Sequence, residues 1–311
     1  MIPALAEDPL AALRRTLRTM LRHATDAVPP LARARDARVI CRRMRAALGR
    51  EPDLHRPVAL NDIIAHKALH DRDPRIPRTT DKLAVRGYVA GRGLGHLLVP
   101  LLGTWSRAAD IAWDSLPGRF VLKASHGSGM TLPVFDTQRA DRAVVHRLAE
   151  EWLRGSHYAW TGEWGYRKVP PRLLAERMLQ GPEGSLPVDY KFFVFHGRPK
   201  LLQVHLDRFG DHRILWFDAA TLERLPIGRP AARATEFVPP DEVRQLAELA
   251  ARLAEGFALV RVDLYWAEGR PWFGEITHYP GGGVIAFDPP DWDMILGRMW
   301  WDAARATRSH T

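Results

Sequence analysis

The sequence predicts an α+β fold behind a helical N-terminal region. Strand-like runs rich in β-branched and aromatic residues come in hairpin pairs, single helices separate the pairs, and no strand–helix–strand repeat recurs. A chain of 311 residues can bury a large core and divide into two or three subdomains. Its 46% hydrophobic and 26% charged content is that of a soluble globular protein.

Residues 1–70 read as mostly helical, interrupted at Pro29-Pro30, Pro52 and Pro57. A polar stretch follows at 70–82, then a short helix over 80–89 ("TDKLAVRGYV") and an extended segment over 96–105 ("HLLVPLLGTW"). "LPGRFVLKAS" (116–125) is a turn leading into a strand, and "TLPVFD" (131–136) is another strand. The apolar spacing of 139–155 predicts a helix ended by Gly155, and 171–179 predicts a strand. Residues 188–208 form two strands around a His-Gly turn, and 212–218 forms a third. A helix over 240–257 precedes a hairpin of 258–266 and 271–277, and a last helix spans 291–306.

Composition narrows the function classes. The one cysteine, Cys41, excludes an internal disulfide and fits a reducing cytoplasm. No run reaches the length of a membrane span, and the N-terminus lacks the pattern of a signal peptide. The net charge of +9 is concentrated early, with twelve arginines before residue 57. "DPLAALRRTLRTMLRHA" (8–24) has leucines at helical spacing with arginines around them. Such a basic amphipathic helix either docks on the core with a solvated face or lies on the anionic inner membrane face. No nucleic-acid partner is expected. Thirteen histidines without HExxH or paired cysteines give a zinc site little support. Trp160 and Trp164 in "YAWTGEWGY" are candidates for stacking on a sugar, or simply for the core.

The chemistry concentrates in the C-terminal hairpin, "LVRVDLYWAEGRPWFGEITHYPGGG" (259–283). Alternation puts Arg261, Asp263 and Tyr265 on one face of the first strand, and Phe273, Glu275 and Thr277 on one face of the second. A three-residue loop sets Asp263 opposite Glu275, whereas a two-residue loop puts them on opposite faces. The first register, or a bulge that restores it, is expected. Two opposed, buried carboxylates need a cation between them. Either Arg261 bridges them, or a divalent metal does.

"FVLKASHGSGM" (120–130) is a strand ending near Lys123, followed by a glycine loop, and it matches neither a Walker A loop nor GxGxxG nor GxSxG. Its glycines and Ser128 suit a polyphosphate, with Lys123 as counter-charge; a tight turn with a solvated lysine is the alternative. In "VDYKFFVFHG", Asp189, Lys191 and Phe193 share a face, so Lys191 either points inward to an anion or pairs with Asp189 on an edge strand. Arg208 ends the next strand, where it could clamp a phosphate or carboxylate, or lie on the surface.

In order, "TTDKLAVRGYV", "LPGRFVLKASHGSGM", "LLAERML", "DYKFFVFHGRPKLLQVHLDR" and "VRVDLYWAEGRPWFGEITHYPGGG" resemble the ATP-grasp superfamily, and most closely its TupA-like branch, associated with teichuronopeptide and other surface-polysaccharide synthesis. The resemblance spans about residues 60–300. It implies an ATP-grasp fold, two α+β subdomains clasping ATP, with 1–70 as the helical head, 71–115 as a lead-in, 116–180 as the lid subdomain and 181–311 as the large subdomain. It implies ATP and Mg²⁺ (or Mn²⁺) as cofactors. Lys123, His126, Gly127, Ser128 and Gly129 resemble the phosphate side, and Glu176 the hinge strand that reads adenine. Lys191 resembles a second phosphate-side cation. Asp263 and Glu275 resemble the metal ligands, with Thr277 where the superfamily often has Asn. Arg261 and Arg208 resemble groups that stabilise the transferred phosphoryl.

The activity implied is an ATP-dependent carboxylate–amine ligase acting through an acyl phosphate on a uronic-acid-bearing sugar or glycan and an amino acid or amine. The alternatives are a phosphotransferase on the same scaffold, with His126 or His278 as candidate base, and a non-catalytic basic binding protein.

Overall fold

The computed structural model describes residues 28–181, 184–207 and 210–308. The basic helix expected over 8–24 and Arg208 therefore lie outside the described residues. Helix α1 (Pro29–Leu48) starts on a proline pair and buries Ala32, Asp36, Ile40 and Met44, one residue per turn. Gly49 ends it in the left-handed conformation, its amide donating to the Arg45 carbonyl. Helix α2 (Leu60–His70) is buried almost all round.

The polar stretch contains a helix of its own, α3 (Arg75–Thr80), and the helix expected over 80–89 begins only at Ala84. The physical reason is local: the Asp81 carboxylate accepts the Leu83 amide at 2.8 Å, which interrupts the backbone ladder before α4 (Ala84–Gly91). Of the extended segment over 96–105, only β1 (Leu101–Trp105) is strand, preceded by a 3₁₀ turn at Gly95–Leu97.

β1 joins β2 (Phe120–Ala124), β3 (Thr131–Val134) and β4 (Leu173–Arg177) in a four-stranded antiparallel sheet of order β1-β4-β2-β3. Helix α5 (Arg142–Arg154) covers it, its N-terminus capped by Asp141, whose carboxylate accepts the amides of Ala143 and Val144. Phe120, Leu122, Ala124, Val145, Ala149, Leu173 and Ala175 form the core of this layer. Helix α6 (His157–Thr161) follows α5 and carries Trp160, which is exposed; Trp164 packs against the larger core.

The second sheet has five strands in the order β7-β6-β5-β8-β9: β5 (Asp189–Phe195), β6 (Arg198–Leu206), β7 (Arg213–Asp218), β8 (Leu259–Ala267) and β9 (Arg270–Thr277). Every residue of the central strand β5 is buried, because helices cover both faces of the sheet. On one side, Phe192, Val194, Leu202 and Val262 meet α4 and α8 (Glu242–Leu253), whose Leu246, Ala250 and Leu253 lie on one stripe. On the other side, Phe193, Phe195, Leu201 and Leu259 meet α1, α2 and α9 (Trp292–Arg308). The one-turn helix α7 (Pro230–Arg233) lies between β7 and α8 in the chain. Among the described residues no helix is long and apolar enough to cross a membrane.

Candidate functional site

The β8–β9 turn is the two-residue Glu268-Gly269, since Ala267 pairs with Arg270. A uniform ladder would then separate Asp263 and Glu275. A bulge intervenes: Leu264 pairs with Phe273 but Asp263 pairs with Glu275, leaving Gly274 over. Gly274 fits there because a Cβ would stand 2.9 Å from the Asp263 carbonyl and 3.0 Å from the Tyr265 ring.

Three strands thus bring one row of charges together, with Lys191 of β5 opposite Asp263 of β8, and Asp263 opposite Glu275 of β9. Arg261 supplies the cation between the two acids. Its Nε donates to Asp263 Oδ1 at 2.6 Å, and its Nη2 reaches Asp263 Oδ2 at 2.8 Å, Glu275 Oε1 at 3.1 Å and Thr277 Oγ1 at 3.2 Å. The Lys191 ammonium donates to Asp189 Oδ2 at 2.6 Å and to Asp263 Oδ2. Lys191 is buried on the central strand, so an exposed edge-strand pair with Asp189 is excluded by the sheet order.

Electrostatics follow from this packing. Burial pushes the Asp263 carboxyl up, and Arg261 and Lys191 pull against it. Burial would also raise Glu275, but the charges of Lys82, Arg261 and Lys191, with a hydrogen bond from Thr277, outweigh it and hold the carboxyl well below its usual range. Burial works against the charge of Arg261, yet Asp263 and then Glu275 hold its pKa above that of an ordinary arginine.

Asp263, Glu275 and Thr277 offer only oxygen, the donor a hard divalent cation prefers. Both oxygens of Asp263 are taken by Arg261 and Lys191, while the hydrogen bonds to Glu275 among the described residues fall on Oε1 and leave Oε2 open. Among the described residues no cluster of three or more His, Cys, Asp or Glu is arranged to hold a metal. The donor set fits a hard cation only in its oxygen chemistry; in this arrangement the Arg261 guanidinium lies between the two acids.

The four-stranded sheet supplies the other wall. Lys123 donates to Glu176 Oε2 at 2.6 Å, and Arg86 of α4 holds the other oxygen at 3.1 Å. The strand leads into the Gly127-Ser128-Gly129 loop, where Gly129 has φ +76°. A Cβ on Gly127 would meet Met130 Sδ at 2.8 Å. The side chains of His126 and His278 both turn into the protein, His126 Nε2 to the Trp152 carbonyl at 2.8 Å and His278 Nε2 to Thr79 Oγ1 at 2.7 Å. Both rings are buried, with Nε2 engaged inside the protein.

A cavity of about 640 Å³ separates the two sheets. Val99, Val121, Met178, Leu179 and Tyr265 line its apolar part, and Lys123, Glu176, Asp189 and Asp207 its polar part. That volume and mixture suit a ligand with one flat apolar end and one polar end. Lys123, Glu176 and Asp189 border the cavity itself, Lys191, Arg261, Asp263, Glu275 and Thr277 adjoin it through Asp189, and the glycine loop follows the strand of Lys123.

Lys82 and Arg86 were not singled out by the sequence. Both lie in "TTDKLAVRGYV", but a helix running from residue 80 makes Lys82 a solvated helical lysine. Residues 81–83 are a turn instead, and the Lys82 ammonium donates to the Gly127 carbonyl at 2.5 Å.

The sequence profile of the family described as TupA-like ATPgrasp matches residues 62–300. No curated protein matches the chain significantly. Similar solved structures include D-alanine–D-alanine ligase from Bacillus anthracis, with a TM-score of 0.42, 15% identity and coverage of 75% of this chain and 70% of that one. The enzyme of the same name from Helicobacter pylori gives a TM-score of 0.37 at 13% identity over 66% of this chain and 53% of that one. The ATP-grasp ligase PsnB, complexed with a minimal precursor, gives 0.41 at 10% identity over 74% of this chain and 62% of that one.

Proposed function

Because the chain belongs to the TupA-like ATP-grasp family, we propose that it is an ATP- and Mg²⁺-dependent carboxylate–amine ligase. Its substrates would be a uronic-acid-bearing sugar or glycan and an amino acid or amine. The observation that carries this reading is the cavity between the sheets, with Lys123 on one wall and Asp189, joined to the Lys191–Asp263–Glu275 row, on the other. Adenine occupies the apolar part beside the strand of Glu176. The triphosphate runs toward Lys123, Lys191 and the amides of Gly127, Ser128 and Gly129. Asp263, Glu275 and Thr277 would hold Mg²⁺ or Mn²⁺, which when bound would neutralise phosphate charge. Arg261, released from the acids, would then face the transferred phosphoryl; the same role expected for Arg208 lies outside the described residues.

In the reaction a substrate carboxylate oxygen attacks the γ-phosphorus and ADP leaves. The amine nitrogen next attacks the acyl carbon, inorganic phosphate leaves and the amine proton passes to solvent. The protein's part is positioning and charge stabilisation, and no protein nucleophile enters. The requirement for ATP suits a cytoplasmic enzyme, and the basic segment over 8–24, expected from its sequence to be an amphipathic helix, is a candidate contact with the inner membrane face.

The inward-facing histidines disfavour a phosphotransferase, which would need a base at the acceptor hydroxyl. Screening uronates against amino acids for ADP and free phosphate release tests the proposal. Amide product with both released is expected. ADP with a stable phosphorylated sugar and no amide would identify a kinase, and no binding of Mg²⁺ with a non-hydrolysable ATP analogue would remove the nucleotide reading altogether.

A further inference from the structure

The segment 157–166 carries two tryptophans, each with an arginine over its ring. Arg43 of α1 stands 5.3 Å from the Trp160 ring, and Arg72, just after α2, 4.9 Å from that of Trp164. Trp164 packs into the core, whereas Trp160 is 59% exposed. An exposed indole by itself signifies little; the guanidinium beside this one gives it meaning. All the contacts of that guanidinium fall on Nη1, which meets the Thr161 carbonyl at 3.4 Å, the Gly282 carbonyl at 3.5 Å and Glu163 Oε1 at 3.5 Å. Nε and Nη2 donate to no group of the described residues, and neither is buried. Together they form the planar edge that takes both oxygens of one carboxylate. Glu163 does not compete for that edge, because it is buried and its Oε2 is held by His157 Nε2 at 3.2 Å. Arg72 donates only to the carbonyls of Ala68, Leu69 and Asp71, so its charge has no carboxylate partner among the described residues.

This face adjoins the reaction row. His157 accepts the Ser128 amide at 3.5 Å, and the Tyr166 ring, 4.4 Å from that of His157, lies within the fields of Glu275 and Arg261. We propose that Arg43 and Trp160 form a subsite for an acidic sugar chain: the Nε–Nη2 edge of Arg43 takes a sugar carboxylate, and the Trp160 indole covers the C–H face of a sugar ring. Arg72 adds positive charge beside it. That the bound chain is a substrate rests on the ligase reading above; the binding itself does not. A single-stranded nucleic acid stacks on successive platforms, and here the second tryptophan is packed into the core.

The test is calorimetry on the full chain with tetragalacturonate, its methyl ester and a thymidine decanucleotide. Arg43→Gln should weaken tetragalacturonate binding about ten- to a hundredfold and leave the uncharged ester unaffected. Trp160→Ala should weaken acid and ester alike, about three- to tenfold. Trp160 is exposed, so its variant keeps the proposal testable even if Arg43→Gln fails to fold. No binding of tetragalacturonate by the wild type would overturn the proposal, as would an unchanged affinity in Trp160→Ala or an equal loss for acid and ester in Arg43→Gln. Decanucleotide binding as tight as that of the acid would make the face a general polyanion surface and also overturn it. AMPPNP with Mg²⁺ is titrated separately. Wild-type protein that binds tetragalacturonate but not AMPPNP would sink the ligase reading and leave the subsite standing.

Discussion

Replacing Asp263 by Asn removes one negative charge from the centre of the row formed by β5, β8 and β9. The carboxylate receives Arg261 Nε at 2.6 Å, Arg261 Nη2 at 2.8 Å and the Lys191 ammonium, and Asp263 is 1% exposed. Removing one partner from a buried ion pair costs about 3–5 kcal/mol. The amide keeps one oxygen as acceptor, so the lower end, about 3 kcal/mol, is expected. At roughly 2 °C per kcal/mol for a large chain, the Tm should fall by about 6 °C. The sign is informative, because Asp189, Asp263 and Glu275 are three carboxylates gathered around Lys191 and Arg261. Were repulsion among the acids dominant, neutralising one would raise the Tm. Scanning calorimetry and urea titration at pH 7, in EDTA and without nucleotide, decide between the two. An unchanged or higher Tm would refute the assignment of Arg261 and Lys191 as the groups that hold the acids together. A second scan with Mg²⁺ and AMPPNP at a hundred times the wild-type Kd should stabilise the wild type by about 2.7 kcal/mol. A hundredfold loss of affinity in the variant would reduce that gain to about 0.4 kcal/mol.

Three further outcomes follow from the geometry. Gly297→Ala should cost about 3 kcal/mol or more, because its Cβ would stand 1.8 Å from the Val58 carbonyl oxygen where α9 crosses the approach to α2; a urea titration measures it. Gly274→Ala should crowd the Asp263 carbonyl and Tyr265 at the bulge, so nucleotide-dependent ADP release should fall at least about tenfold while the Tm drops by only a few degrees. Intact turnover would show that the bulge does not set the Asp263–Glu275 pairing. Burial, with Glu242 nearby, raises the Tyr190 phenol from 10.0 to about 12. A raised pKa contributes stability that is present below pH 10 and lost as pH climbs through about 12, so alkaline stability should decline over that window. Tyr190→Phe should be near neutral at pH 7 and lose up to about 2 kcal/mol less between pH 10 and 12, read from urea midpoints.

Much of this molecule is legible in its order of residues. Period-two alternation placed Arg261, Asp263 and Tyr265 on one face, and the hairpin's two acids demanded a cation, which Arg261 supplies. The α+β class followed from paired strands and single helices, and the ordered motifs carried the family. These features are local, since alternation, turns and helical stripes depend on neighbours a few positions away. Tertiary structure decided the rest. The turn length alone would have separated Asp263 from Glu275, and the bulge at Gly274, a close-packing solution between strands, brought them together. Lys191 became a buried central-strand cation because β5 runs between β6 and β8, an order no local pattern encodes. Lys82 reaches the Gly127 carbonyl across 45 positions of chain. An ammonium's partner depends on which distant segments packing brings to it, whereas the face on which a side chain stands depends only on the strand that carries it.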